Sequence, residues 1–132
     1  MKRNMLDTNT VRHLIKAHPT VARRVTAVPM ATLCISSVTE GELLFGLAKR
    51  PDARLLHRVV QEFLLRVDVL PWDRASAARY GTLRADLQSQ GKILAPLDLL
   101  IAAQALSVDA VLVTNDRAFG QVSGLQVEDW AV

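Results

Sequence analysis

Short apolar runs separated by longer helical patterns set the rhythm of this chain. Asn4 to Leu6, Leu33 to Ser36 and Val111 to Thr114 are brief, almost uniformly apolar, and followed at once by polar residues, so they read as buried strands. Val67 to Leu70 is a fourth candidate strand and Leu125 to Val127 a fifth. Between them the period lengthens. From Ala53 to Arg66, Leu55, Leu56, Val59, Val60, Phe63 and Leu64 form one stripe while Arg54, His57, Arg58, Gln61 and Glu62 take the other face. Asp52 is placed to cap that helix. Further helices are predicted over Thr10 to Ala17, Val38 to Ala48, Asp73 to Gln90 and Pro96 to Leu106, with Pro51, Pro71, Gly91 and Pro96 as boundaries.

Apolar strands alternating with helices imply an α/β fold built on a mainly parallel sheet of about five strands, covered by helices on both faces. In such sheets ligands gather beyond the carboxyl ends of the strands, where connecting loops and helix N-termini diverge. The 132 residues, half of them apolar, fit one domain spanning 1–132. Every hydrophobic stretch is interrupted well short of a membrane span, and Lys2 and Arg3 lead straight to Asp7 without a secretory apolar segment, so a cytoplasmic protein is expected. The single cysteine, Cys34, excludes an intrachain disulfide and reads as a small core residue between Leu33 and Ile35. Sixteen Lys and Arg against thirteen Asp and Glu give a net charge of +3, which permits a polyanionic partner.

Four acids change the picture. Asp7 follows the first apolar run and Asp116 follows Val111–Thr114 by one further residue, so both fall at the carboxyl edge. Glu42 lies in the second turn of the helix after Leu33–Ser36, and Asp98 in the first turn of the helix that Pro96 opens. Singly, each has an ordinary explanation: a helix cap for Asp7, a helix-dipole partner for Asp98, a turn for Asp116, a solvated surface for Glu42. Those explanations leave open why Glu42 sits beside Leu43-Leu44-Phe45 and Asp98 between Leu97 and Leu99-Leu100-Ile101, since burying unpaired carboxylates is costly. Carboxylates crowded together repel unless a cation neutralises them, and an oxygen-only donor set selects Mg²⁺ or Mn²⁺ over zinc. His13, His18 and His57 show no zinc-binding spacing. Glu40 competes with Glu42, but residues two apart on a helix point about 200° apart. Ser37-Val38-Thr39-Glu40 fits a capping box, which assigns Glu40 to structure and Glu42 to the metal.

The constellation resembles the PIN-domain nucleases, particularly the VapC toxins of bacterial toxin–antitoxin pairs. The matching segments are Met5-Leu6-Asp7-Thr8-Asn9, Ile35-Ser36-Ser37-Val38-Thr39 leading into Glu42-Leu43, Pro96-Leu97-Asp98 with Ile101-Ala102-Ala103, and Val113-Thr114-Asn115-Asp116 with Phe119, running on to Gly124-Leu125 and Glu128-Asp129-Trp130. The resemblance implies a three-layer α/β/α sandwich, Mg²⁺ or Mn²⁺ dependence, hydrolysis of RNA to a 5′-phosphate and a 3′-hydroxyl, and homodimerisation. It makes Asp7, Glu42, Asp98 and Asp116 the catalytic and metal-binding set, with Thr8, Asn9, Ser37, Thr114 and Asn115 holding ligands or waters. It implies structured RNA, often tRNA, as substrate, and a VapB-type antitoxin, a small DNA-binding protein whose tail occupies the groove.

RNA binding needs cations that follow phosphates. Candidates are Lys49 and Arg50, Arg54 and Arg58 one turn apart, and Arg79, Arg84 and Lys92, each of which could equally be a solvated helix face. Aromatic residues make up 5% of the chain, too few for an extended stacking platform. A rival reading is a catalytically idle module acting in transcriptional regulation with a DNA-binding partner. The aspartyl-phosphatase pattern fits poorly because Asn9 stands where a second aspartate is wanted, and the receiver pattern, which wants an acidic pair near the first strand and a lysine after a late strand, fits poorly because Thr114 leads to Asn115 and Asp116. Neither a phosphate-loop motif nor a GxGxxG fingerprint is present.

Overall fold

The computed structural model describes residues 2–132. The strands are β1 (Asn4–Leu6), β2 (Leu33–Ser36), β3 (Asp68–Leu70), β4 (Val111–Val113) and β5 (Val127–Glu128). The helices are α1 (Thr8–Ile15), α2 (Pro19–Thr26), α3 (Ser37–Ala48), α4 (Arg54–Arg66), α5 (Arg74–Ser89) and α6 (Pro96–Ser107). All strand pairings are parallel, in the order β3-β2-β1-β4-β5. From the central β1 the chain steps outward through β2 and β3, then returns to the other side with β4. The order therefore reverses between β1 and β4, where Met5 is in register with Leu112 and Leu6 with Val113. A crevice at the carboxyl ends of those two strands is the expected ligand site.

The two-residue alternation of the strands divides the core into two. Met5, Cys34 and Leu112 pack with Leu83, Leu87, Leu99, Ile101 and Phe119, on the α5–α6 side. Leu6, Ile35 and Val113 pack with Val11, Leu43, Leu47, Val60 and Trp130, on the α1–α4 side. Three layers result, as the strand–helix alternation implies. Cys34 is fully buried, as its sequence neighbours suggest.

Several local expectations need correcting. Ser36, not Ser37, caps α3: its hydroxyl accepts from the Val38 N–H at 3.0 Å, while Ser37 lies inside the helix and accepts from the Trp72 N–H at 3.0 Å. With Ser36 as cap, Thr39 stands at the third helical position and Glu40 one place beyond it, so the expected capping box does not form. Ala53 occupies the cap position of α4, and Asp52 supplies no side-chain bond there. Leu55, assigned to the apolar stripe, is 72% exposed, so α4 buries a narrower face centred on Val60. Helix α2 was not expected. Its eight residues carry only two valines at helical spacing, and its cap is an unusual one, the His18 Nδ1 accepting from the Val21 N–H at 3.3 Å.

Two polar links tie the layers together near the sheet edge. Gln104, 1% exposed in the middle of α6, donates to the carbonyls of Leu70 and Pro71 at 3.1 Å. The Trp72 indole N–H donates to the Leu100 carbonyl at 2.9 Å, so the same residue clamps both α3, through Ser37, and α6. Helix α5 ends at Gly91, whose φ of 68° lets the Lys92 N–H return to the Leu87 carbonyl at 2.9 Å. A side chain there is strained, so Gly91→Ala should lower unfolding stability by roughly 1 kcal/mol or more in urea titration without altering the far-ultraviolet spectrum. An unchanged midpoint would contradict the role given to this turn.

Candidate active site

Each of the four acids is carried to the crevice by the start of a helical element. Asp7 leaves β1 and caps α1, accepting from the Thr10 N–H at 2.8 Å; it is 4% exposed. Asp116 leaves β4 after Thr114 and Asn115 and caps the short 3-10 helix Arg117–Gln121, accepting from the Ala118 N–H at 2.9 Å. Its own N–H is held by the Thr114 hydroxyl at 3.0 Å. Asp98 stands in the first turn of α6, half-buried, and Glu42 in the second turn of α3, also half-buried. The ordinary explanations for Asp7 and Asp116 as caps are therefore correct, and they do not compete with a shared site.

Electrostatics shows the convergence. Burial, reinforced by the charges of Asp116, Asp7 and Glu42 in that order, pushes the Asp98 carboxyl up to about 6. Burial also raises Asp7, against hydrogen bonds from Thr114 and Thr10, and the Asp116 charge adds to the rise. Asp98 thus feels the charges of acids from three other chain segments. Glu40 is absent from the charges acting on Asp98, in keeping with its separation from Glu42 on the helix.

The supporting residues divide. Thr8 is buried and donates to Glu42 Oε1 at 2.7 Å, with the Thr39 hydroxyl 3.3 Å away. Thr114 is buried beside Asp7 and Asp116. Asn9 and Asn115 are exposed at the rim, and Ser37 is engaged by the Trp72 N–H. Thr39, Trp72 and Gln104 were missed as positioning residues; a glutamine within the apolar run of α6 and a tryptophan directly after Pro71 are the signals that could have found the last two.

A hard divalent cation suits this donor set. Among the described residues no three His, Cys, Asp or Glu side chains already stand close enough to enclose an ion. Mg²⁺ does not require such a cage, because it keeps several waters and is usually held by one or two carboxylates together with substrate phosphate. Oxygen-only donors and acids whose mutual repulsion a cation would relieve are what such an ion selects.

The candidate phosphate contacts do not form one track. Lys49 and Arg50 line a groove of about 410 Å³ with Arg12, Lys16 and Glu42, over a floor that includes Leu43, Leu47 and Val60. Arg54 and Arg58 lie on the outer face of α4, Arg79 is exposed on α5, and Arg84 and Lys92 line a different groove. Arg12 and Lys16 were missed, although their spacing of one helical turn on α1 places them on one face.

The chain is an α/β/α sandwich with aspartates beyond the two strands that flank its switch point. The PIN domain family matches residues 5–125, and the chain belongs to that family. It is 39% identical over 132 residues to the tRNA(fMet)-specific endonuclease VapC of Shigella flexneri, covering 99% of this chain and 100% of that protein. It is 35% identical over 131 residues to ribonuclease VapC2 of Haemophilus influenzae, covering 98% and 99%. Among solved structures, DNA-bound VapBC from Salmonella typhimurium superposes with a TM-score of 0.91 at 37% identity, over 98% of this chain and 99% of that one.

The raised Asp98 value has a consequence for stability in metal-free buffer. The folded protein binds the Asp98 proton more tightly than the unfolded chain, so this group favours folding below about 4 and loses that contribution as pH rises through about 6. Asp98→Asn should therefore melt above wild type at pH 7.5 in excess EDTA and coincide with it near pH 4. A difference that is the same at both pH values would contradict the shared field.

Proposed function

We propose that this chain is a Mg²⁺- or Mn²⁺-dependent endoribonuclease, the toxin of a toxin–antitoxin pair, that hydrolyses phosphodiesters of structured RNA, with tRNA as the first substrate class to test. The observation that carries the site assignment is that β1 and β4, on either side of the switch point, lead into Asp7 and Asp116, with Asp98 at the start of α6 and Glu42 in α3 near enough to act on one another: burial first, then the charges of Asp116, Asp7 and Glu42, raises the Asp98 carboxyl. The sequence relatives named for RNA cleavage support the choice of substrate.

In this reading Asp7, Glu42, Asp98 and Asp116 would hold the ion. When bound, the ion would lower the pKa of an attacking water and neutralise charge on the phosphate and leaving oxygen. Thr8 donates to one oxygen of Glu42 at 2.7 Å, which would leave the other oxygen for the ion or a water. Thr114 fixes the turn that presents Asp116, while Asn9 and Asn115 at the rim are placed to contact the incoming strand. Lys49, Arg50, Arg54, Arg58, Arg79, Arg84 and Lys92 supply phosphate attraction from several faces.

A VapB-type antitoxin is the proposed inhibitor. The groove between α1, α3 and α4 has an apolar floor, a rim of Arg12, Lys16, Lys49 and Arg50, and Glu42 at one end. It suits an amphipathic segment with acidic flanks, and an occupant would lie against the acidic pocket. The similarity to the VapBC complexes of Rickettsia felis and Salmonella typhimurium supports that partner. We also assign the chain to the cytoplasm and to a homodimer, for which Leu44 and Phe45 on α3 and Leu97 on α6, 46%, 61% and 44% exposed, offer apolar surface.

Purified protein with Mg²⁺ should cleave bulk tRNA, and Asp7→Asn should slow the reaction by about 100-fold or more. Equal cleavage by the two proteins would sink the site assignment. No cleavage by either, with a DNA-binding partner still bound, would favour the idle regulatory module.

A further inference from the structure

The groove between α5 and the start of α6 is lined by Tyr80, Arg84, Leu87, Gln88, Lys92, Ile93, Leu94, Pro96 and Leu99 and measures about 240 Å³. No carboxylate lines it. Leu87 and Leu99 form a buried floor, and the cations of Arg84 and Lys92 belong to the wall. Arg84 is held in place: its Nη1 donates to the Tyr80 hydroxyl at 2.9 Å, and its guanidinium lies 6.0 Å from the Tyr80 ring centroid. The Tyr80 ring is in turn braced edge-on by Trp72, centroid to centroid 6.1 Å. Ile93 stands 83% exposed at the rim.

This groove is fixed to the acidic pocket by covalent and hydrogen-bonded links. Pro96 and Leu99, which line it, bracket Asp98 on α6, so the groove and Asp98 lie within one helix diameter, about 10–12 Å. The Gln121 side chain donates to the carbonyls of Ile93 and Ala118, both at 3.0 Å, joining the groove's rim to the 3-10 helix that Asp116 caps. A single rigid frame therefore carries two of the four acids and the groove.

An apolar floor, an aromatic wall and two cations without a counter-charge match the chemistry of one nucleotide, its base in the groove and its phosphate on the cations. Its volume is below that of a typical small-molecule pocket, which suits a base rather than a longer ligand. The geometry points to a subsite for a single unpaired nucleotide of the RNA, close to the scissile phosphate, in which Arg84 and Lys92 hold phosphate and Tyr80, Leu94 and Ile93 contact the base. The inference rests on the ribonuclease reading for the identity of the strand. It gives this enzyme a structural reason to prefer loops, where a base can leave its stack.

The test uses the Asp7→Asn protein, so that binding is measured without turnover, and a fluorescein-labelled single-stranded RNA octamer followed by anisotropy. Adding Arg84→Ala and Lys92→Ala should weaken binding about tenfold. It should also flatten the dependence of log K on log salt by about 1.4, the contribution of two single-strand phosphate contacts. Arg23→Ala on α2, away from the groove, serves as the charge control and should change neither. Moving an abasic residue along the octamer should reveal one position that costs about tenfold, and that cost should disappear when Tyr80 is replaced by leucine. Unchanged affinity and salt slope in the double variant, or no sensitive abasic position, would overturn the subsite. Should the subsite behave as described while the protein with Asp7 intact cuts no RNA, the ribonuclease reading alone would fall.

Discussion

Negative charge concentrated at one edge of a parallel sheet is the constraint on which this structure turns. The strand order reverses between β1 and β4, which opens a crevice there, and an aspartate stands beyond each strand, Asp7 directly after β1 and Asp116 after Thr114 and Asn115. Helical N-termini make the arrangement tolerable: Asp7 caps α1, Asp98 sits in the first turn of α6, and Asp116 caps a 3-10 helix. Each carboxylate gains N–H contacts or a favourable dipole from its own segment. Local stabilisation does not remove the whole cost: burial first, and the charges of neighbouring acids after it, still raise Asp7 and Asp98. A bound cation is the simplest way to relieve it, and a phosphodiester is the ligand that such a cation would recruit.

Holding those helix starts in place falls to residues outside the acidic set. Trp72 bonds Ser37 on α3 and Leu100 on α6, and Gln104 bonds the end of β3. Thr8 reaches from α1 to Glu42 on α3. Such cross-links fix the relative positions of the helix starts that carry the acids, and a site built on those acids would depend on that placement. Most arginines and lysines lie on grooves and outer helix faces away from Asp7, Asp98 and Asp116, whereas Glu42 shares its groove with Arg12, Lys16, Lys49 and Arg50.

Much of this was legible from the residue pattern. Asn4–Leu6 and Leu33–Ser36 are strands with the boundaries their apolar runs suggest, and the position of each acid after a strand or at a helix start follows from local punctuation such as Pro96. Parallel pairing was legible too, because strands buried on both faces carry no polar alternation. Helix α2 was not, since two valines in eight residues make too weak a stripe. The choice between Ser36 and Ser37 as cap turned on a tertiary contact, the Trp72 N–H, that no local pattern reveals. Leu55 looked like core because one side of α4 is apolar beyond the part its neighbours cover. The partition of basic residues among three surfaces depended on helix packing, and so did the pairing of Arg84 with Lys92.

The central claim is that four acids from separate segments form one cation site. Mn²⁺ binding at pH 7.5, followed by the loss of the free-ion electron paramagnetic resonance signal, tests it most directly. Wild type should take up Mn²⁺ with an affinity that falls as pH drops through about 6, where Asp98 gains its proton, and Asp7→Asn and Asp98→Asn should each weaken uptake about tenfold or more. Undiminished Mn²⁺ binding by the Asp7→Asn/Asp98→Asn double variant would contradict the account.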